Sequence, residues 1–572
     1  MQRPLKIVTT EEMRLLEQQA DAAGHPYAQM MELAGRAVAA AIQGERPEGP
    51  PMAVVVLAGP GNNGGDGLVA ARCLQEWGHQ VGVFCCHRRT EGDPNYERLL
   101  ARGAEVLHAQ DEGSWATLQG WLARAEVIVD ALLGTGVTRP IEGLIGQALR
   151  LTQERLAPSA VGGLGDRQGV RWLVPPGPAG RPARPTLVAV DCPSGLDCDG
   201  GAIDPAAVPA DLTVTFACPK AGHFLFPGAS YVGRLAVADI GIAPALADEV
   251  VVELATAPQV ASLLPARPLN AHKGTFGRAL LVAGSVNYTG AAHLAAAACA
   301  RVGAGLVTVA LPRPLHPVLA SCLPEATWLL LPHVLGVVSP DALGLVKQSL
   351  AGRTALLVGP GLTQEQEAVR FVHGLLRPDG QQPQAARQIG FVGQRRESPA
   401  WEASSDRPPM VIDADALNAL ASEPAWPDWL RETEAVLTPH PGEMARLWGV
   451  SVSQVEADRW AVARQAAQRW GQVVVLKGAH TAVAGPDGRL TVSPFANPAL
   501  ATAGSGDVLA GIITGLLAQG VAPYEAAVAG VYLHALAAEQ LRVGVGGAGM
   551  LAGDLLGALP GAMAALRATA GR

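Results

Sequence analysis

Ala53-Val54-Val55-Val56-Leu57-Ala58-Gly59-Pro60-Gly61-Asn62-Asn63-Gly64-Gly65-Asp66-Gly67 is an apolar run that passes directly into a stretch with five glycines and two amides. A short apolar run without alternation predicts a strand buried on both faces. A helical pattern follows through Trp77. Strand, glycine turn and helix form the repeating unit of a parallel α/β sheet, and such sheets bind ligands at the carboxyl ends of their strands. The glycine stretch is not a Walker A loop, since it has no Gly-Lys-Ser/Thr, and it holds no dinucleotide G-x-G-x-x-G in register. Asn62 and Asn63 offer both carbonyl oxygens and amide donors. Carbonyl oxygens suit a hard cation, and backbone amides suit phosphate.

The same alternation extends outward. Upstream, Thr9-Thr10-Glu11-Glu12 reads as a capping box before an amphipathic helix, and 28–42 reads as a second helix broken by the prolines of 47–51. Downstream, apolar runs at 81–85, 127–129, 187–190 and 212–216 predict further strands. Residues 157–185, rich in Gly, Pro and Arg, read as an exposed insertion. A weakly patterned stretch, 246–264, reads as the connection between a domain over 1–245 and another over 265–572; a strand at 250–254 could belong to either side. The second half predicts strands at 279–283, 306–310, 355–358, 410–412, 435–437 and 473–476, with a polar insertion at 377–409. The fold class is α/β in two domains.

A chain of 572 residues exceeds one core at about 150 residues per domain. The net charge of −8 gives no general attraction to nucleic acid or an anionic membrane, so neither is expected as a partner, and any phosphate site must be local. No apolar run reaches the roughly 18–20 residues that span a bilayer, and no signal-peptide core is visible at the start. A cytoplasmic protein is expected. The eight cysteines contain no C-x-x-C pair. Buried free thiols are expected rather than disulfides or a zinc site.

Two further predicted strand ends in the first half carry acids: Asp130, before the turn Gly134-Thr135-Gly136, and Asp191, before Cys192-Pro193-Ser194-Gly195. Each acid alone fits a capped turn; together with the glycine stretch they fit a site on one rim. Combined with Met31-Glu32-Leu33-Ala34-Gly35, these motifs resemble NAD(P)H-hydrate epimerase over about residues 5–245. That family has a Rossmann-like three-layer fold and interconverts the R and S epimers of NAD(P)HX, the cofactor hydrated on its nicotinamide ring. The resemblance implies that Asn62, Asn63, Gly64, Gly65 and Asp66, with Gly134, Thr135, Gly136, Val137, Thr138, Arg139 and Pro140, hold the substrate. It implies a potassium ion on Asn63, Asp130 and Ser194, and Asp191 as the catalytic acid facing the ring. Epimerisation at a hemiaminal carbon needs proton handling, which an acid there supplies. Lys220, in Cys218-Pro219-Lys220-Ala221-Gly222, reads either as a phosphate contact or as a surface lysine.

The second half closes on Asn497-Pro498-Ala499-Leu500-Ala501-Thr502-Ala503-Gly504-Ser505-Gly506-Asp507, running into an apolar helical segment. Alone it fits an ordinary helix start, or a glycine turn that places phosphate at a helix N-terminus beside a base. Four more motifs follow predicted strands: Gly359-Pro360-Gly361-Leu362, Asp413-Ala414-Asp415-Ala416-Leu417-Asn418, Thr438-Pro439-His440-Pro441-Gly442-Glu443 and Lys477-Gly478-Ala479-His480-Thr481. With His272-Lys273-Gly274-Thr275-Phe276-Gly277, they resemble the NAD(P)H-hydrate dehydratase branch of the ribokinase-like superfamily, a doubly wound fold, over about residues 265–565. The resemblance implies that Ala291, Gly361, His440 and Asp507 contact NADHX or NADPHX. It implies nucleotide contacts from Lys477, Gly478, Ala479, His480, Thr481 and Gly506, and Asp507 as the catalytic base. ADP with a magnesium ion, a homo-oligomer, and AMP and phosphate as products are expected on the same ground. Thr363 stands where many relatives continue with glycine. The alternative is a ribokinase-like kinase for a vitamin alcohol fused to a non-catalytic ligand-binding domain.

Overall fold

The computed structural model describes residues 4–47, 49–87, 90–136, 139–157, 184–378 and 407–570. Nearly all of both expected insertions, and Val137 and Thr138, lie outside the described residues. The chain divides into two compact units, Lys6–Val250 and Met1–Leu5 with Val251–Arg572.

In the Lys6–Val250 unit, seven strands form one parallel sheet in the order Glu105–His108, Gln80–Cys85, Ala53–Ala58, Val127–Ala131, Thr186–Val190, Leu212–Phe216, Arg234–Ala238. Chain direction across the sheet reverses between Ala53–Ala58 and Val127–Ala131, the crevice where such sheets take ligands. Gly59 is obligatory there: a methyl group on it would meet the Leu132 carbonyl oxygen at 1.7 Å. The expected glycine loop is shorter than it looked. A helix starts at Asn62 and runs to Glu76, so Asn62, Asn63, Gly64 and Gly65 form its first turn; the Gly65 N–H donates to the Gly61 carbonyl at 3.3 Å, which leaves the amides of Asn62, Asn63 and Gly64 at the open N-terminus. Glu105–His108 and Arg234–Ala238 escaped the sequence reading because they are half-exposed edge strands with charged first residues.

The Thr9 capping box is present, opening the helix Thr10–Ala22. Val8 locks this segment in place: its N–H donates to the Pro219 carbonyl at 3.0 Å, and its carbonyl accepts from Ala221 N–H at 3.1 Å.

The second sheet runs, from one edge, Val252–Leu254, Leu490–Val492, Ala482–Ala484, Val473–Leu476, Ala435–Leu437, Met410–Ile412, Ala355–Val358, Arg278–Val282, Leu306–Pro312, Thr327–Leu331, with the residues around Leu5 beyond the first of these. From Val473 onward it is parallel, while Ala482–Ala484 pairs antiparallel on both sides. The strand whose ownership the sequence left open, Val252–Leu254, pairs with Leu490–Val492 and so belongs to this unit. Topology reverses between Arg278–Val282 and Ala355–Val358, where the Gly284 N–H donates to the Pro360 carbonyl at 2.8 Å.

Two helices behind this crevice, Thr289–Arg301 and Ser505–Ala518, touch backbone to backbone. A methyl group on Gly511 would lie 2.2 Å from the Ala295 carbonyl oxygen, and one on Gly504 would lie 2.6 Å from Leu294 Cδ1. None of the eight cysteines forms a disulfide, and seven are buried; Cys322 departs from expectation and is exposed at the end of a short helix. Among the described residues no helix is long and apolar enough to cross a membrane.

Candidate active sites

In the first unit the ends of neighbouring parallel strands carry Asp130 and Asp191, and the helix N-terminus carries Asn63. Asp130 is 1% exposed. It accepts from Ser194 N–H at 2.9 Å, from Ser194 Oγ–H at 2.6 Å and from Leu132 N–H at 3.3 Å. Burial nevertheless pushes its carboxyl above the usual range. Asn63 Nδ2 donates to the Leu133 carbonyl at 2.9 Å, while its buried Oδ1 has no hydrogen-bond partner. Leu133 N–H in turn donates to Ser194 Oγ at 2.9 Å. Asn63, Asp130 and Ser194 are therefore one cluster, with a single carboxylate, neutral oxygens and one orphaned carbonyl acceptor. An all-oxygen set with one negative charge fits a hard monovalent cation.

Asp191 adopts φ +63°, a left-handed conformation unusual outside glycine. Lys220 Nζ and Thr215 Oγ1 both donate to its carboxylate, the latter at 2.8 Å. Lys220 is 1% exposed and also donates to Thr215 Oγ1 at 2.9 Å. Burial would raise the Asp191 carboxyl, but the Lys220 ammonium outweighs it and holds the group below the usual range. The surface reading of Lys220 does not survive: the side chain is buried as the counter-ion of Asp191. The 29-residue separation gave no local signal for this pair. Buried against it, His223 is pushed down to about 3 by desolvation and by Lys220. Asp66 is buried in the first turns of its helix, Thr135 is half-buried, and Gly136, Arg139 and Pro140 are exposed.

In the second unit, Asp413, Glu443, Lys477 and Asp507 converge from two strand ends and two helix starts. Lys477 Nζ lies 2.8 Å from Asp413 Oδ1 and 3.8 Å from Glu443 Oε2. Thr438 Oγ1 donates to Asp413 Oδ1 at 2.7 Å. Glu443 is raised to about 7 by burial, with Asp413 adding to the rise and Lys477 opposing it. Asp507, third residue of the helix Ser505–Ala518, is half-buried and makes no hydrogen bond among the described residues. Burial and the nearby Asp413 raise it to about 7, against the pull of Lys477. A methyl group on Gly506 would sit 3.4 Å from Lys477 Nζ, and one on Gly361 would sit 2.9 Å from the Ala291 Cβ.

His440 caps the helix Pro441–Trp448, its Nδ1 accepting from Gly442 N–H at 3.0 Å and from Glu443 N–H at 3.4 Å. Nε2 is thus the protonated nitrogen of a neutral ring, which burial and Lys477 hold below the usual histidine value. In the Lys477–Thr481 turn, Thr481 Oγ1 donates to the Gly478 carbonyl at 2.7 Å. The His480 imidazole points inward to the Ser493 carbonyl at 3.1 Å, and burial lowers it to about 4. The His480 N–H is also engaged within the protein, donating to the Phe495 carbonyl at 2.9 Å.

Thr363 takes φ +76°, the conformation that favours glycine. Its N–H donates to Asp415 Oδ2 at 2.8 Å, and its Oγ1 accepts from Glu365 N–H at 3.2 Å. The loop thus keeps a glycine-type bend without the glycine.

Comparison with known proteins matches both halves. A family model described as NAD(P)H-hydrate dehydratase matches residues 279–381 and 390–560, and one described as YjeF-related protein N-terminus matches 27–222. The bifunctional NAD(P)H-hydrate repair enzyme of Moorella thermoacetica is 38% identical over 514 residues, covering 89% of this chain and 86% of its own. That of Thermofilum pendens is 35% identical over 571 residues, covering 98% and 97%. Among solved structures, the ADP/ATP-dependent NAD(P)H-hydrate dehydratase of Bacillus subtilis is 30% identical, with a TM-score of 0.43, and covers 55% of this chain and 98% of its own.

Proposed function

The chain belongs to the family of bifunctional NAD(P)H-hydrate repair enzymes, and from that membership we propose how its residues divide the work. It is an enzyme of nicotinamide nucleotide repair: one half epimerises R- and S-NAD(P)HX, and the other dehydrates S-NAD(P)HX to NAD(P)H. Membership of this family speaks against the alternative of a kinase that leaves a stable phosphorylated alcohol.

For dehydration, the observation that carries the reading is the Asp507 carboxylate: unbonded, raised to about 7, and seated in the first turn of a helix behind Gly504 and Gly506. Hydroxide leaves poorly. Asp507 removes the proton of the ring hydroxyl as its oxygen attacks the terminal phosphoryl group of ADP. The helix N-terminal amides and the Lys477 ammonium stabilise the developing charge. The resulting ester then departs as phosphate with the push of the ring nitrogen, and the neighbouring ring carbon gives up a proton to form the C=C bond, leaving AMP, phosphate and NAD(P)H. Ala291, Gly361 and His440 line the substrate side; Lys477, the Gly478–Thr481 backbone and Gly506 line the nucleotide side. Magnesium bound with the nucleotide supplies neutralisation of phosphate charge. Among the described residues no three acidic, histidine or cysteine side chains form a metal cage. This suits an ion carried by phosphates and water, with Asp413 and Glu443 as the carboxylates that would face it.

For epimerisation, Asp191 is the proton-handling group, kept ionised by Lys220, and the amides of Asn62, Asn63 and Gly64 with the Gly134–Gly136 turn hold the substrate. Potassium on Asn63, Asp130 and Ser194 is supported by the orphaned Asn63 Oδ1; when bound, it supplies positive charge beside that turn.

The test is to incubate the protein with mixed R- and S-NADHX plus ADP and follow the absorbance of NADH. Full recovery is expected. Recovery of the S half alone would remove the epimerase, and no recovery with ADP or ATP would sink the whole reading.

A further inference from the structure

The strand Leu212–Phe216 is apolar except for Thr213 and Thr215, which lie on one face and are both fully buried. A buried hydroxyl costs free energy unless it is hydrogen-bonded. The two threonines meet that demand differently. Thr213 Oγ1–H donates to the Val232 carbonyl at 2.6 Å, an uncharged main-chain partner. Thr215 Oγ1–H donates to Asp191 Oδ1 at 2.8 Å, and the same Oγ1 accepts from Lys220 Nζ at 2.9 Å. Lys220 Nζ itself donates to Asp191 Oδ1. Sheet register brings the three together. Val190 pairs with Val214, and the Asp191 N–H donates to the Val214 carbonyl at 2.8 Å. Lys220 is pinned beside them by Val8, which is bridged to Pro219 and Ala221.

The two oxygens of the Asp191 carboxylate are therefore not equivalent. Oδ1 holds both donors. Oδ2 accepts no hydrogen bond among the described residues, and the side chain keeps 14% of its surface exposed. We propose that Thr215 is a positioning residue of the epimerase: it locks Oδ1 and leaves Oδ2 as the oxygen that exchanges the proton with the substrate. The inference rests on the reading that Asp191 handles that proton. Lys220 alone does not fix the carboxylate, because an ammonium on a flexible four-carbon stem acts as a point charge toward either oxygen. The threonine hydroxyl is directional, sits on a stiff β-branched side chain, and holds Nζ and Oδ1 at once. The proton taken from the substrate lands on Oδ2 and returns from Oδ2 as the other epimer forms, so each turnover restores the carboxylate. The charged or titratable groups that act on Asp191, or that it acts on, are Lys220, His223, Cys192 and Glu17. Burial pushes the Asp191 carboxyl up, and Lys220 with the Thr215 hydrogen bond among its opponents holds it low.

The experiment follows interconversion of R- and S-NADHX by chromatography, without nucleotide and across pH. It compares the full-length protein with its Thr215→Val, Thr215→Ala, Thr215→Ser, Thr213→Val and Asp191→Asn variants. In Thr215→Val and Thr215→Ala, both without the hydroxyl, kcat should fall roughly 10- to 100-fold with KM within about twofold of the parent. The acid limb of their profiles, where the base takes up its proton, should move to higher pH. Thr215→Ser should restore the limb and most of the rate. Thr213→Val, on the same face and equally buried, should lose stability in urea and keep the parental kcat and limb. A Thr213→Val as slow as Thr215→Val makes the effect one of packing and overturns the role of Thr215. A hydroxyl-free variant at the parental rate, or with its limb unmoved, overturns it too while Asp191→Asn is inactive. An active Asp191→Asn overturns the reading beneath it as well.

Discussion

Lys477 Nζ is shared between two carboxylates, 2.8 Å from Asp413 and 3.8 Å from Glu443. The Asp507 carboxylate contributes to the field that keeps this ammonium charged, after Asp413 and Glu443. One cation therefore neutralises a cluster assembled from residues up to 94 positions apart in the chain. Removing one partner of a buried pair leaves an uncompensated charge, at a cost of about 3 kcal/mol or more. Lys477→Met should lower stability by that order in urea unfolding at pH 8. The loss should shrink toward pH 6, where Glu443 and Asp507, both raised to about 7, take up protons and relieve the repulsion.

In the proposed reaction Asp507 acts as a base, so it must be ionised. With its carboxyl raised to about 7, dehydration of S-NADHX should rise about tenfold per pH unit below 7 and level off above it. Asp507→Asn should abolish NADH recovery and leave epimerisation intact. The same residue makes a stability prediction. Its folded value lies above its ordinary 3.8, so the unfolded chain releases the proton more readily. Native stability is then lost as pH rises from about 4 to about 7. Asp507→Asn should be the more stable protein at pH 8, by up to ~4 kcal/mol, and should gain nothing at pH 4. Thermal unfolding at the two pH values reads this directly. An equal shift at both would separate the effect from ionisation.

The orphaned Asn63 Oδ1 predicts a cation dependence. Epimerisation should fall when potassium is replaced by choline and recover on its return. Asn63→Ala should flatten that dependence while lowering the rate by about 10- to 100-fold. A rate indifferent to potassium in the parent would remove the site.

Thr363 holds a left-handed bend that costs a β-branched residue about 1–2 kcal/mol. Glycine relieves that strain but adds about 0.5–1 kcal/mol of unfolded-state entropy. Thr363→Gly also deprives Glu365 N–H of the Thr363 Oγ1 acceptor, so the terms nearly cancel and it should lie within about 1 kcal/mol of the parent. Thr363→Val keeps the strain and deprives Glu365 N–H of its acceptor, and should lose about 1–2 kcal/mol. Chemical denaturation of the two variants side by side decides it.

The strands legible in the sequence were those whose apolar runs are short but uninterrupted, such as Ala355–Val358, Met410–Ile412 and Val473–Leu476, all three fully buried. Ala482–Ala484 and Leu490–Val492 were not, because they flank the turn Gly485-Pro486-Asp487-Gly488, which reads as a loop, and their pairing depends on that turn. Site positions followed the same division. Asp130, Asp191, His440 and Asp507 announced themselves by lying at strand or helix ends. The partnership of Lys220 with Asp191 and the sharing of Lys477 are long-range events. They arise from how elements pack, and no window of sequence contains both members. The inward turn of His480 was equally hidden, since its φ of +50° is set by the closed Gly478–Thr481 loop.

The contact of Gly511 with the Ala295 carbonyl fixes a dimension of the dehydratase. Ala291 stands at the head of one helix and Asp507 at the head of the other, and at Gly511 the two rods meet with no side chain between them. The span from substrate wall to base is thus gauged by the thickness of two polypeptide backbones. Those lengths are covalent, and they neither repack nor drift when the surrounding apolar side chains change rotamer.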